Sequence, residues 1–217
     1  MSEKNRHFTV REATEADYAG AIEALTNAFE HDPVMSHAMG GTHQADKIRE
    51  LFEFQIRNTY ASKGKIDIAV DENDTILGAA LWLSPEGQKG NLLADLRALP
   101  QYAKLLGRSL FSAVVTEIKL LRARPAFEHW YLYTIGVHES ARSCGAGSAL
   151  LDYRLARTGQ YGSYLEASTY RSASLYRRHG FTELGAFKGG KPALGMWHPA
   201  PVSLIDENLP SVAPSTH

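Results

Sequence analysis

The fold is indicated most clearly by residues 131–181, YLYTIGVHESARSCGAGSALLDYRLARTGQYGSYLEASTYRSASLYRRHGF. Aromatic and β-branched residues at the start of this stretch favour a buried strand over Trp130 to Val137. A loop with two glycines follows, and the leucines after it predict a helix over Ser148 to Arg157. A second strand is predicted over Tyr164 to Ala167. Because a helix connects the two strands, we expect them to pair in parallel.

The flanking sequence predicts further strands and helices on both sides of this stretch. Downstream, a helix is predicted over Ser172 to His179, with Gly180 as its C-cap and two last strands beyond it. Upstream, the predicted elements are a strand over Phe8 to Glu12, a helix capped by Thr14 and ended at 31–33, a helix over Asp46 to Ser62, hairpin strands over Lys65 to Val70 and Ile76 to Leu83, and a helical pattern from Leu106 to Leu121. This order predicts an α/β fold with a mixed sheet.

Length and composition set the broad class of the protein. The chain has 217 residues with 44% hydrophobic and 22% charged side chains, which suits one globular domain. We predict a single domain over 1–199, with a helical insert at about 92–125 and a flexible tail at 200–217. A net charge of -1 argues against charge-driven binding to nucleic acid or to an anionic membrane.

The single cysteine and the apolar runs bear on location and metal binding. Cys144 has no partner for an internal disulfide, which favours a reducing compartment. No apolar run approaches the roughly 18 residues that a membrane span needs, and the N-terminus lacks the apolar core of a signal peptide. The nine histidines form no recognised metal-binding spacing. We therefore expect a cytoplasmic protein with no metal site.

The glycine loop, Arg142-Ser143-Cys144-Gly145-Ala146-Gly147, lies between a predicted strand and a predicted helix. A loop of this kind presents backbone N–H groups at the positive end of the helix dipole, where a phosphate group binds well. A tight turn that only lets the helix pack on the sheet is the alternative. The loop is not a Walker A motif, because no Gly-Lys-Ser/Thr follows, and it lacks the third glycine of a dinucleotide fingerprint.

A second motif follows, Leu175-Tyr176-Arg177-Arg178-His179-Gly180-Phe181. Together the two motifs resemble those of the GNAT superfamily of acetyltransferases, Gln/Arg-x-x-Gly-x-Gly/Ala and Leu-Tyr-x-x-x-Gly-Phe. Within the superfamily the chain is most similar to the puromycin N-acetyltransferase group, some of which confer antibiotic resistance. The shared features extend to three N-terminal runs, at 10–14, 28–33 and 80–86, so the resemblance covers roughly residues 8–198.

The resemblance implies a twisted, mostly antiparallel sheet with helices on both faces. Its central parallel pair of strands is splayed to admit the cofactor, acetyl-CoA (coenzyme A). Ser172 stands where many relatives carry asparagine, and Cys144 stands where a basic residue or glycine is more common. The cofactor-binding residues implied are Ile135, Gly136 and Val137 of the strand, Arg142, Ser143, Cys144, Gly145, Ala146, Gly147 and Ser148 of the loop, and Ser172.

The resemblance also implies two catalytic residues. Tyr176 matches the family's general acid, which protonates the departing thiolate; a core aromatic residue at the helix–sheet junction is the alternative. Glu166 matches a glutamate that faces the acceptor amine, as a base or as a charge that binds the ammonium group. For Glu166 the alternative is a solvated carboxylate at a strand edge.

The acceptor pocket is expected outside these motifs, in segments that hold Phe29, Asp32 and Trp82 and in the helical insert. Their aromatic and apolar character indicates an amine on an apolar or aromatic small molecule as the partner. The resemblance implies that the acetyl group passes directly to this primary amine. Two other functions stay open, a protein or peptide N-acetyltransferase and a coenzyme A-binding module without turnover. The oligomeric state stays open between a monomer and a family-like homodimer.

Overall fold

The computed structural model describes residues 7–32, 35–36, 39, 41, 44–89, 100–186 and 194–201. A single seven-stranded sheet has the order β1-β2-β3-β4-β5-β7-β6. Its strands are β1 Phe8–Glu12, β2 Gly64–Asp71, β3 Ile76–Leu83, β4 Trp130–Val137, β5 Ser163–Ala167, β6 Thr182–Ala186 and β7 Leu194–His198. All neighbouring strands pair antiparallel except β4 and β5, which pair in parallel. The predicted mixed sheet with one central parallel pair is therefore confirmed.

β4 and β5 separate soon after they meet. Their pairing begins at Trp130 and ends at Leu132, whereas β4 continues to Val137 with β3 on its other side. Leu132 and Thr134 pair with adjacent residues of β3, so Tyr133 is the extra residue of a β-bulge. A bulge bends its strand, which explains the divergence at this point. Between the described strands, the separation leaves a gap beside the second half of β4.

Helices cover both faces of the sheet, as predicted. One hydrophobic cluster packs α1 and α2 against one face, and a second packs α4 and α5 against the other. Side chains of β3 alternate between the clusters, with Leu81 in the first and Trp82 in the second. The helices are α1 Tyr18–Phe29, α2 Ala45–Gln55, α3 Leu110–Ala123, α4 Ala146–Leu155 and α5 Tyr170–Arg178.

Some boundaries differ from the sequence prediction for local reasons. The predicted helix over 46–62 is interrupted by a π-helical turn, Ile56–Tyr60. α5 begins at Tyr170, two residues earlier than predicted, because Thr169 is its N-cap and its hydroxyl accepts a hydrogen bond from the Ser172 N–H at 3.0 Å. Within the insert, 100–106 is helical and α3 follows a short 3₁₀ turn. The predicted tail lies outside the described residues from 202 onward, and the extent of the domain stays a prediction.

The predicted cap lies one turn before the first α-helix, because Thr14 is the N-cap of a short 3₁₀ turn, Glu15–Asp17, that leads directly into α1. The Asp17 carboxylate accepts hydrogen bonds from the Thr14 N–H at 2.7 Å and from Arg11, whose two bonds to it are also 2.7 Å long. Arg11 therefore holds the pKa of Asp17 well below its usual range. The contact joins β1 to the start of α1.

A buried ion pair fastens α4 to the sheet. Arg154 of α4 donates from Nε to Asp67 of β2 at 2.9 Å, and a second guanidinium nitrogen bonds the other carboxylate oxygen. Asp67 is fully buried and Arg154 is 3% exposed. Burial raises the pKa of Asp67, although the guanidinium opposes this effect. The pair matters to the site because α4 starts at the glycine loop.

Candidate active site

The glycine loop has the geometry of an anion site. Ser143 and Gly145 both have positive φ angles, +66° and +90°, and Gly145 is the N-cap of α4. The N–H of Ala149 donates to the Gly145 carbonyl at 3.0 Å, which is the first hydrogen bond of the helix. The N–H groups of the helix residues before Ala149 therefore have no partner within the helix. Backbone donors at such a turn converge on an anion.

The space around the two glycines of the loop is largely open. A Cβ atom at Gly145 would meet no atom within 4 Å, and one at Gly147 would lie 3.6 Å from Val137 Cγ2. Arg142 stands at the rim with its side chain 49% exposed, beside Glu139 at 3.6 Å. The free thiol of Cys144 is half-buried. The predicted loop residues, including Ser143, Ala146 and Ser148, are thus brought together at the start of α4.

The second half of β4 borders the gap in the sheet. Ile135, Gly136 and Val137 pair with β3 on one side only, and no described strand pairs with their other edge. Gly136 has a packing reason to lack a side chain, because a Cβ there would lie 2.9 Å from Ala28 Cβ and 3.0 Å from Phe29. α1 therefore passes close to β4 beside the gap.

Tyr176 lies on the α4/α5 side of the sheet. Its side chain is 8% exposed within the second cluster, and its ring contacts Phe181 edge to face at 5.9 Å. Burial raises the pKa of the Tyr176 phenol, which keeps the hydroxyl protonated. Tyr176 is therefore a core aromatic residue with a protonated phenol, and its role as general acid stays a prediction.

Glu166 lies on the opposite face, because it alternates along β5 with Leu165 and Ala167 of the second cluster. Its side chain is 8% exposed, so it is not a solvated strand-edge carboxylate. One oxygen accepts from Arg124 Nε at 3.0 Å, and the other accepts from the Tyr131 hydroxyl at 2.7 Å. Each oxygen keeps a second lone pair for a further donor.

Arg124 was not predicted from the sequence. It is the C-cap of α3, and beyond Glu166 it donates to the Tyr131 hydroxyl at 2.9 Å and to Glu117 at 3.2 Å. Its guanidinium lies 3.9 Å from the centre of the Tyr131 ring. A basic residue before a proline at a helix end is ordinary, so only the fold reveals this arginine 42 positions from its carboxylate partner.

The other predicted site residues lie in different surroundings. The Ser172 hydroxyl donates to the Thr169 carbonyl at 2.9 Å, so it takes part in the cap of α5. Phe29 packs on Phe52 at 5.7 Å beside the gap. Asp32 accepts from the Met35 N–H at 2.8 Å. Trp82 is fully buried on the face opposite Glu166, and we leave it out of the pocket proposed below.

Two features are absent from the part of the chain that the structure describes. No helix there is long and apolar enough to cross a membrane. Those residues also include no group of three or more His, Cys, Asp or Glu side chains that would hold a metal ion.

Comparison with known proteins bears on this arrangement. A family model described as an acetyltransferase (GNAT) domain matches residues 106–183. A Corynebacterium glutamicum ATCC 13032 structure, histone acetyltransferase HPA2 and related acetyltransferase, is 36% identical with a TM-score of 0.74, over 91% of this chain and 99% of that chain. Two structures share the fold at lower identity. Mosquito arylalkylamine N-acetyltransferase like 5b is 14% identical (TM-score 0.60, 88% of this chain and 99% of that chain). The Escherichia coli ribosomal-protein-S18-alanine N-acetyltransferase is 15% identical (TM-score 0.52, 94% and 99%).

The identity and coverage shared with the C. glutamicum protein show that this chain belongs to the GNAT family of acetyltransferases. It is thus an enzyme of acetyl transfer, and its acetyl donor is acetyl-CoA. The described residues fit this donor. The start of α4 offers backbone donors for a pyrophosphate, and the edge of β4 offers peptide groups for an extended arm.

Replacing Gly145 by alanine tests the loop. A side chain at φ +90° is strained, so we expect a stability loss of about 1 kcal/mol and acetyl-CoA binding about tenfold weaker, measured by thermal unfolding and calorimetric titration. Gly159→Ala is the matched control, because Gly159 has φ +63°, equally open space and a place beyond the other end of α4. If the two variants bind acetyl-CoA with equal affinity, the loop is not part of the cofactor site.

Proposed function

We propose that the protein transfers the acetyl group of acetyl-CoA to a primary amine of a small molecule, with Glu166 receiving the ammonium group and Tyr176 acting as general acid. The observation that carries this proposal is the charge beside the gap. Two carboxylates, Glu166 and Glu117, surround the single guanidinium of Arg124. With both carboxylates ionised the group carries one excess negative charge, which a protonated amine would neutralise; burial raises the pKa of Glu117, and Arg124 opposes this effect.

The two proposed catalytic residues lie on opposite faces of the sheet. Glu166 lies on the α1/α2 side and Tyr176 on the α4/α5 side. An acyl group held between β4 and β5 would have the amine on one side and an acid for the departing sulfur on the other. This arrangement supports direct transfer, in which no acyl-enzyme forms.

Acetyl-CoA supplies the acetyl group as a thioester, and the chain supplies position and protons. The start of α4 binds the pyrophosphate, and an N–H group in 135–137 polarises the carbonyl. Glu166 accepts the amine proton, directly or through a water molecule. Tyr176 donates its hydroxyl proton to sulfur; burial raises its pKa, and the same burial increases the proton affinity of a thiolate beside it.

The surroundings of Glu166 support a small acceptor. Arg124, at the end of the helical insert, lies against Glu166 and leaves both side chains about one-tenth exposed. Tyr131 and Phe29 add aromatic surface on the same side. Aromatic surface beside a nearly buried carboxylate suits an amine on an aromatic or apolar body. On the sequence runs described above, we propose the puromycin N-acetyltransferase group as the nearest branch of the family.

A protein amine is the second candidate acceptor. The C. glutamicum relative carries the description histone acetyltransferase HPA2 and related acetyltransferase, and it is 36% identical to this chain. Free-thiol release from acetyl-CoA should be compared on small primary amines and on peptides with free N-termini or lysines. We expect turnover of small amines; turnover of peptides alone would select the second candidate.

Replacing Glu166 by glutamine tests its role. Because the variant keeps the side-chain size and loses the charge, we expect kcat/KM for the amine to fall about 100-fold with acetyl-CoA affinity unchanged. A fall in kcat would indicate proton transfer, and a rise in KM would indicate ammonium binding. Glu183→Gln is the control, since Glu183 is paired with Arg177 on the surface. If Glu166→Gln matches the wild type at every pH, the assignment is wrong.

A further inference from the structure

The side chain of Gln55 carries a buried polar atom without a partner. Gln55 is 5% exposed, and its Nε2 donates to the Tyr133 hydroxyl at 2.5 Å. Its Oε1 is buried and bonds no other group in the described part of the chain. If the amide is turned over, Oε1 accepts from Tyr133 and Nε2 becomes the atom without a partner. Because buried polar groups in native proteins are normally hydrogen-bonded, this atom indicates a missing partner.

Gln55 is placed at an irregular point of its helix and next to an irregular point of the sheet. It is the last residue of α2, directly before the π-helical turn Ile56–Tyr60, and such turns are frequent at functional sites. Tyr60 of that turn packs on Tyr133 at 5.5 Å. Tyr133 is the bulge residue of β4, at the point where β4 leaves β5. The Gln55 amide therefore contacts the residue of β4 at which the gap begins.

The same face of the sheet connects Gln55 to Glu166. Tyr131 and Tyr133 lie on either side of Leu132, which points to the α4/α5 side. The Tyr131 hydroxyl bonds Glu166 at 2.7 Å, and the Tyr133 hydroxyl bonds Gln55. One tyrosine thus meets the carboxylate proposed for the amine, and the other meets the buried amide. A molecule with its amine at Glu166 would extend its far end along β4 toward Gln55.

We propose that Gln55 and Tyr133 form a subsite for a hydroxyl group at the far end of the acceptor, an inference that rests on the proposed function. A hydroxyl can donate a hydrogen bond to Gln55 Oε1 and accept one from the Tyr133 O–H, because the Tyr133 oxygen already accepts from Gln55. A hydroxyl also satisfies the turned-over amide, since it accepts as well as donates. An acceptor without this group leaves the buried amide atom unbonded, which is a strong basis for discrimination.

The test compares matched amines that differ by one hydroxyl: tyramine with phenethylamine, and 4-hydroxybenzylamine with benzylamine. We expect the wild type to favour the hydroxylated member of at least one pair in kcat/KM by tenfold or more, and Gln55→Leu to reduce that preference to less than threefold. Gln160→Leu is the matched control, because Gln160 is exposed in the turn before β5. A Gln55→Leu variant that changes thermal stability but keeps the preference would assign the amide a structural role and overturn the subsite.

Measurements of amine binding distinguish a failure of the subsite from a failure of the proposed function. The same four amines are titrated calorimetrically into the enzyme loaded with coenzyme A. A hydroxyl preference that Gln55→Leu abolishes supports the subsite even if no amine releases thiol. Turnover or binding with no hydroxyl preference in the wild type overturns the subsite and leaves the amine proposal standing, and failure of all four amines to bind overturns the subsite as well.

Discussion

Replacing Tyr176 by phenylalanine is expected to slow acetyl transfer about 10²–10⁴-fold, the range that a positioned general acid contributes. The phenylalanine ring keeps the edge-to-face contact with Phe181, so thermal stability and acetyl-CoA affinity should stay close to wild type. Thiol release under saturating substrates measures the effect, and calorimetry measures acetyl-CoA binding. Tyr170→Phe is the matched control, because Tyr170 begins the same helix with its side chain 68% exposed.

The pH profile adds a second readout for Tyr176. Burial raises the pKa of this phenol above 10, so the acid form persists throughout the neutral range. We expect no loss of kcat from this group below about pH 10. If Tyr176→Phe transfers acetyl groups at the wild-type rate, Tyr176 is not the general acid. If kcat of the wild type falls with rising pH below pH 10, and this fall is absent from the variant, then burial does not raise the pKa of Tyr176.

Replacing Arg154 by methionine is expected to destabilise the protein by about 3–5 kcal/mol, because Asp67 is left buried without its partner. Denaturant unfolding measures the loss. Arg177→Met removes an exposed partner of Glu183 and should cost about 1 kcal/mol or less. The double variant Asp67→Leu/Arg154→Met should recover most of the loss, since apolar residues of similar size often replace a buried ion pair without penalty.

The deficit of Arg154→Met should depend on pH. Without the Arg154 guanidinium, burial holds the folded-state pKa of Asp67 above its unfolded value, and only the more distant charge of Arg157 still opposes this effect. A group of this kind binds its proton more tightly when folded, so stability is lost as pH rises and regained as pH falls. We therefore expect the gap between Arg154→Met and wild type to narrow from pH 7 to pH 5. A constant gap would mean that the loss comes from packing against Trp130 instead.

Local patterns predicted the framework of the fold well. The strands Ile76–Leu83 and Trp130–Val137 lie where hydrophobic and β-branched residues indicated them, because strand residues buried on both faces leave a continuous apolar run. The parallel pair followed from the connecting helix alone. The bulge at Tyr133 was not predicted, since nothing in a strand pattern shows where a neighbouring strand shifts its register.

The site was predicted only as far as its motifs extend along the chain. The glycine loop and Tyr176 are local features, and the structure describes them where the motifs lie. Arg124 and Gln55 meet their partners across 42 and 78 positions, so their contacts depend on the whole sheet. Trp82 illustrates a different limit, because in a strand apolar on both faces the sequence does not tell which face each residue occupies.

Ser172 has a structural role that the resemblance did not indicate, and its contact with the cofactor stays a prediction. The family motif directs attention to the cofactor at this position, whereas the serine hydroxyl bonds the Thr169 carbonyl at 2.9 Å within the cap of α5. A pattern of Thr169 followed three residues later by a polar side chain predicts such a cap from sequence, and it would have placed the start of α5 correctly.

The most direct test of the proposed function is the reaction of the wild-type protein with acetyl-CoA and a small primary amine such as phenethylamine. Free thiol and the acetylated amine are measured together, by a thiol reagent and by mass spectrometry. We predict both products in equal amounts, at a rate well above that without the amine. Tight acetyl-CoA binding with no thiol release on any small amine or peptide would contradict the proposal that the protein transfers acetyl groups to amines.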